Sequence, residues 1–197
     1  MGNEKKKALI VVDVQNDFCP GGSLAVAHGD DVVAPLNKLM KEFLDRGEPV
    51  FKTRDWHPAN TKHFKINGGS MWPVHCVQNT SGAEFHPDLL DDQRITVISK
   101  GFDESADGYS GFDGTDLGKK LRDDGVEEVW VGGLATDYCV KETVLDARRE
   151  GFEVKALADA MLPVNVNPLD GRKALEEMSA AGAEIVGSRT KAAGGGE

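Results

Sequence analysis

Six short apolar runs, at residues 8–12, 49–51, 95–98, 128–131, 153–157 and 184–186, constrain this fold more than any other feature. Each is nearly continuous in apolar residues rather than alternating, which suits parallel strands covered on both faces. Helical spacing fills the intervals. Residues 31–45 place Val32, Val33, Leu36, Leu39, Met40, Phe43 and Leu44 on one stripe, and Gly47 closes it. Residues 116–124, 138–150 and 169–181 read the same way, closed by Gly125, Gly151 and Gly182. Strand and helix in alternation predict an α/β fold: a doubly wound, mainly parallel sheet of about six strands with helices on both faces. The expected organisation is one domain over residues 1–190 and a mobile glycine-rich tail over 191–197.

Composition narrows the class. The chain has 197 residues, 40% of them hydrophobic and 28% charged, as in a soluble globular domain. A formal net charge of -10 repels nucleic acid and anionic membranes, so neither is an expected partner. No stretch reaches the length of a membrane span. Cys19, Cys76 and Cys139 are too few and too irregularly spaced for a disulfide framework. The opening Met-Gly-Asn-Glu-Lys-Lys-Lys leads into a strand without a long apolar stretch. A reducing, cytoplasmic setting is therefore expected.

In open α/β sheets, sites form beyond the carboxyl ends of the strands. Asp13, Lys100 and Cys139 all fall there. Each alone has an ordinary explanation: a turn former, a solvated strand end and a small core residue. Together they offer a base, a cation and a thiol at one edge of one sheet, a working set for acyl transfer. Cys139 also lies where the strand around residue 130 feeds a helix. Free N–H groups and the helix dipole there are expected to favour a thiolate and to hold a developing oxyanion.

Two long connections interrupt the rhythm, roughly residues 55–92 and 101–114, and long connections in compact domains are commonly functional. The first carries Asp55-Trp56-His57, His63 and His75. In an extended segment the Asp-x-His spacing turns both side chains the same way. Carboxylate and imidazole donors suit one divalent transition metal, zinc first, with iron or manganese as alternatives. Cys76 directly follows His75 and is read as core. His28 and His86 have no second ligand nearby.

Five blocks in order resemble the nicotinamidase/pyrazinamidase family of isochorismatase-like hydrolases, from about residue 8 to 188. They are Asp13-Val14-Gln15-Asn16-Asp17-Phe18-Cys19 with Pro20-Gly21-Gly22; Thr53-Arg54-Asp55-Trp56-His57-Pro58 followed by His63-Phe64; Trp72-Pro73-Val74-His75-Cys76; Lys100-Gly101 with Tyr109-Ser110-Gly111-Phe112; and Gly133-Leu134-Ala135-Thr136-Asp137-Tyr138-Cys139-Val140. The resemblance implies Asp13, Lys100 and Cys139 as a catalytic triad, and Asp55, His57 and His75 as metal ligands. His63 matches a fourth ligand that some members use. It further implies a cis peptide at Leu134–Ala135, oxyanion donors at the N–H groups of Ala135 and Cys139, and substrate contacts from Phe18, Trp72, Tyr109 and Leu134. The implied substrate is a small aromatic amide, with nicotinamide going to nicotinic acid and ammonia and pyrazinamide also cleaved. Homo-oligomerisation stays open. The competing readings are a metal-independent cysteine amidase of this fold acting on carbamoyl or ureido compounds, and a non-catalytic metal-binding protein.

Overall fold

The computed structural model describes residues 5–69, 71–104 and 107–187. The expected domain limit at 190 and the tail at 191–197 lie outside them. One sheet runs in the order β3-β2-β1-β4-β5-β6, with every pair parallel. The strands are β1 Lys7–Val12, β2 Val50–Asp55, β3 Thr96–Lys100, β4 Glu128–Leu134, β5 Glu153–Leu162 and β6 Glu184–Val186. The helices are α1 Val33–Asp45, α2 Leu117–Asp123, α3 Lys141–Arg149 and α4 Asp170–Ala180. Among the described residues no helix is long and apolar enough to cross a membrane.

The near-continuous apolar runs feed two cores because successive strand residues face opposite ways. From β1, Ala8, Ile10 and Val12 join Leu117 and Leu121 of α2, Val144 and Ala147 of α3, and Ala174 and Met178 of α4. Leu9 and Val11 point to the other face, where Leu36, Met40 and Phe43 of α1 cover them. Each fully buried Leu, Ile or Phe of this kind contributes about 1.5–3 kcal/mol relative to an exposed one. The sheet is thus a rigid platform whose carboxyl edge carries the long connections.

Two element ends differ from the sequence expectation. The glycine pair 132–133 reads as a turn, yet β4 runs through it to Leu134. The pair is needed for close approach instead. A Cβ on Gly133, whose φ is +129°, would lie 2.1 Å from the Val12 carbonyl oxygen, and one on Gly132 would lie 2.9 Å from that of Ala160. β5 also outruns its apolar stretch, reaching Leu162 with a register shift against β4 between Val131 and Gly133.

Candidate active site

Strand order brings the first three groups together. β1, β2 and β3 are neighbours, and Asp55 and Lys100 are register partners at the carboxyl ends of β2 and β3. Asp13 follows β1 at φ +48°, a left-handed conformation that Asp tolerates better than most residues. Its backbone N–H donates to the Thr53 carbonyl at 3.2 Å, and the Thr53 hydroxyl donates to its Oδ1 at 2.6 Å. Cys139 arrives from β4 through a π-helical turn, Thr136–Val140, in which the Val140 N–H reaches back to the Ala135 carbonyl at 3.1 Å. α3 therefore starts at Lys141, after the expected helix start at 138. Single π turns recur where a side chain must be re-aimed. The Leu134–Ala135 peptide is cis.

Lys100 is fully buried at the centre of this arrangement. Its Nζ lies 2.7 Å from Asp13 Oδ2 and 3.5 Å from Cys139 Sγ, donates to the Gly108 carbonyl at 3.2 Å, and pairs closely with Asp55 Oδ1. Burial alone would neutralise the lysine, but the Asp13 and Asp55 carboxylates outweigh it and hold the group charged, with its pKa well above the ordinary value. The Asp13 pKa is raised, because burial and the neighbouring Asp55 outweigh the Lys100 charge. Burial also pushes Cys139 well above the usual thiol range, with Asp55 and Asp13 adding to it against Lys100. One ammonium already faces two carboxylates, so a thiolate would be a third buried anion, and burial with these carboxylates opposes the thiolate that the helix-start position is expected to favour.

The second cluster adjoins the first. One nitrogen each of His57, His63 and His75 lies within 4.8 Å of the other two. Their Nδ1 atoms face acceptors: the Gly101 carbonyl at 2.8 Å, Asp107 Oδ1 at 2.7 Å and the Pro73 carbonyl at 2.8 Å. Carbonyls and carboxylates cannot donate, so Nδ1 carries the proton and Nε2 is left as a lone pair. Burial lowers the His75 pKa to about 4 and lowers that of His63, keeping both rings neutral. His57 Nε2 is buried without a hydrogen-bond partner, an arrangement that costs about 1–3 kcal/mol if nothing else meets it. Asp55 Oδ2 lies 3.5 Å from that nitrogen and 3.9 Å from His75 Nε2. Burial opposes ionisation of Asp55, but the Lys100 ammonium outweighs it and holds the carboxyl far below its ordinary range. Imidazole nitrogens and one carboxylate oxygen around an orphaned lone pair fit a divalent transition metal.

Phe18, Trp72 and Tyr109 line a cleft together with Asp55, His63, His75, Ala135 and Cys139. Trp72 donates from Nε1 to the Tyr109 hydroxyl at 2.8 Å. Leu134, expected among the substrate contacts, is corrected. Its side chain is buried in the α1-side core near Gly29, and Ala135 takes its place on the wall. Leu24, Tyr138 and Val164 also line the cleft, and sequence reasoning missed them. Cys76 is core, as read.

Several supporting residues also escaped the sequence reading. The Gln15 amide clamps the Asp55 backbone from both sides, donating to its carbonyl at 2.9 Å and accepting from its N–H at 2.8 Å. Asp17 accepts from the Cys76 N–H at 2.7 Å, beside His75. Asp137 accepts from the N–H groups of Val164 and Asn165 at 2.9 and 2.8 Å, anchoring the turn that carries Cys139. Gly101, at φ +70°, has no room for a Cβ, which would fall 2.6 Å from His57 Cε1. Gly101→Ala is therefore expected to displace the His57 ring and lower the melting temperature, which thermal denaturation reads.

The isochorismatase domain family matches residues 7–190. The chain belongs to the isochorismatase family. Within this isochorismatase family, the nicotinamidase of Escherichia coli (strain K12) is 43% identical over 199 residues, covering 91% of this chain and 93% of that protein. The nicotinamidase/pyrazinamidase of Mycobacterium tuberculosis (strain ATCC 25618 / H37Rv) is 42% identical over 187 residues, covering 91% and 98%. The crystal structure of the pyrazinamidase of Pyrococcus horikoshii in complex with zinc superposes with a TM-score of 0.86 at 48% identity, covering 92% of this chain and 98% of that one. The six parallel strands with helices around them are the isochorismatase-like arrangement of these neighbours, as the apolar runs predict.

Proposed function

We propose that this chain is a nicotinamidase that hydrolyses nicotinamide, and also pyrazinamide, to the acid and ammonia through a thioester on Cys139. The observation that carries the reading is the position of Asp55. One of its oxygens is on Lys100 in the thiol cluster, and the other faces the imidazole cluster. A group held at the imidazoles is thus presented to Cys139. The names of the relatives, nicotinamidase and pyrazinamidase, support the same substrate class.

Phe18, Trp72 and Tyr109 would hold the aromatic ring of the amide. His57, His63, His75 and Asp55 would hold a divalent cation, zinc by its donor set, which when bound supplies a Lewis-acid contact for the ring nitrogen, directly or through water. Asp13 takes the proton of Cys139, and the sulfur attacks the carboxamide carbon. Lys100 then stabilises the added negative charge beside it, and the N–H groups of Ala135 and Cys139 hold the oxyanion. Asp13 returns the proton to the leaving nitrogen, which departs as ammonia. Asp13 next takes a proton from water, whose oxygen attacks the thioester. The released sulfur regains its proton and the acid leaves. The raised proton affinity of Asp13 suits both halves of this cycle. The three cysteines are free and buried, which supports a reducing, cytoplasmic setting.

The competing carbamoyl or ureido amidase needs no imidazole cluster, and a non-catalytic metal protein needs no buried Asp13–Lys100–Cys139 set. One assay separates the three. Nicotinamide is expected to yield ammonia and nicotinic acid in equal amounts, stripping with a chelator to remove most of the activity, and added zinc to restore it. Full turnover after stripping would end the metal's role, and no ammonia from nicotinamide would end the proposal.

A further inference from the structure

Three consecutive residues of the connection after β3 each touch a different part of the site. Asp107 Oδ1 accepts from His63 Nδ1 at 2.7 Å. The Gly108 carbonyl accepts from Lys100 Nζ at 3.2 Å. The Tyr109 hydroxyl accepts from Trp72 Nε1 at 2.8 Å, and its ring lies 5.5 Å from that of His63. Gly108, at φ +64°, packs so closely on Gly101 that a Cβ would lie 2.6 Å from the Gly101 Cα, and Gly101 in turn packs on His57. One short segment therefore contacts the imidazole cluster, the buried ammonium and the aromatic wall.

His63 also differs from its two partners. Main-chain carbonyls orient His57 and His75, whereas a carboxylate from a separate connection, itself half exposed, orients His63. The direction of the His63 lone pair thus depends on where residues 107–109 sit. That of His75, held by the Pro73 carbonyl, does not, and His57 feels the segment only through the packing of Gly108 on Gly101.

We propose that residues 107–109 couple the metal centre to the rest of the site, with Asp107 as the positioning residue. Its carboxylate aims His63 Nε2 at a divalent cation. Cation binding in turn fixes the Gly108 carbonyl on Lys100 and the Tyr109 hydroxyl on Trp72. The ring pocket is then fully formed only when the metal is in place. This coupling rests on the metal centre proposed above.

The test uses full-length, metal-stripped parent, Asp107→Ala and Asp107→Asn, with zinc affinity measured by competition against a chromophoric chelator. Tryptophan emission is followed as zinc is added, and the Trp72 contribution is identified by its loss in Trp72→Phe. Asp107→Ala is expected to weaken zinc binding about 10–100-fold and to abolish the zinc-dependent change in Trp72 emission at saturating zinc. Asp107→Asn keeps an acceptor oxygen and is expected to recover most of both, which a merely structural loss would not allow. It also carries the test if the alanine variant fails to fold. Zinc binding by Asp107→Ala as tight as the parent's, a surviving Trp72 signal, or an asparagine variant no better than alanine would each overturn the coupling alone. A parent that binds no zinc would overturn the metal centre and the coupling with it.

Discussion

Cys139→Ala is expected to reduce nicotinamide turnover about 10⁴-fold or more, the scale seen when the nucleophile of a set that acts as a unit is removed. In the proposed reaction the sulfur forms the covalent intermediate. Lys100 is a poor substitute, because as an ammonium it has no lone pair, and Asp13 is tied to it at 2.7 Å. The fold should survive. Cys139 is nearly fully buried, but the change deletes one atom and leaves the Lys100 pairing with both carboxylates intact. The loss should therefore fall on kcat while far-UV circular dichroism and zinc affinity stay at parent values. Rapid mixing with substrate should show a thioester in the parent and none in the variant. Retained turnover would point to water as the direct attacking group and end the thioester mechanism.

Lys100→Met is expected to be the most damaging single substitution for stability. It keeps roughly the same volume but leaves Asp13 and Asp55 buried with no neighbouring cation. Breaking a buried ion pair from one side costs about 3–5 kcal/mol. At roughly 2–4 °C per kcal/mol for a chain of this size, the melting temperature should fall by about 10 °C. The pH dependence has a definite sign. Without Lys100 the factor opposing burial at Asp13 is gone, so its folded pKa rises further above the unfolded value. The native state then binds more protons than the unfolded state between those two values. The variant should consequently lose stability as pH rises through that window and recover part of it on acidification. Thermal denaturation of metal-stripped protein at pH 5 and pH 8 tests this. A variant that melts like the parent at pH 8 would show that Lys100 is not the charge holding these carboxylates.

The platform was legible because parallel strands buried on both faces leave a plain mark, an apolar run without alternation. Asp13, Lys100 and Cys139 were legible because each stands at or just past the end of such a run. Other features had misleading or missing local signals. Gly132-Gly133 looks like a turn in sequence, since a glycine pair carries no mark that separates a bend from a close approach by Val12. Leu134 sits in the right motif, but strand alternation turns its side chain into the core. The protonation state of Cys139 depends on two carboxylates supplied from other strands, which a local helix-start argument does not count. Gln15, Asp17 and Asp137 act on backbone atoms 40, 59 and 27 residues away, so no spacing along the chain announces them.

The central position of β1 also governs how the molecule comes into being. Its residues pair with Val50–Thr53 on one side and with Glu128–Gly133 on the other. During synthesis the first edge can close early, while the second waits until more than half the chain has emerged. Such long-range parallel pairing folds slowly and keeps an open strand edge exposed to other chains meanwhile. Asp13 cannot meet Cys139 before β4 has paired with β1, so the two halves of the cluster come together only at that closure, with β5 and β6 still to add beyond it.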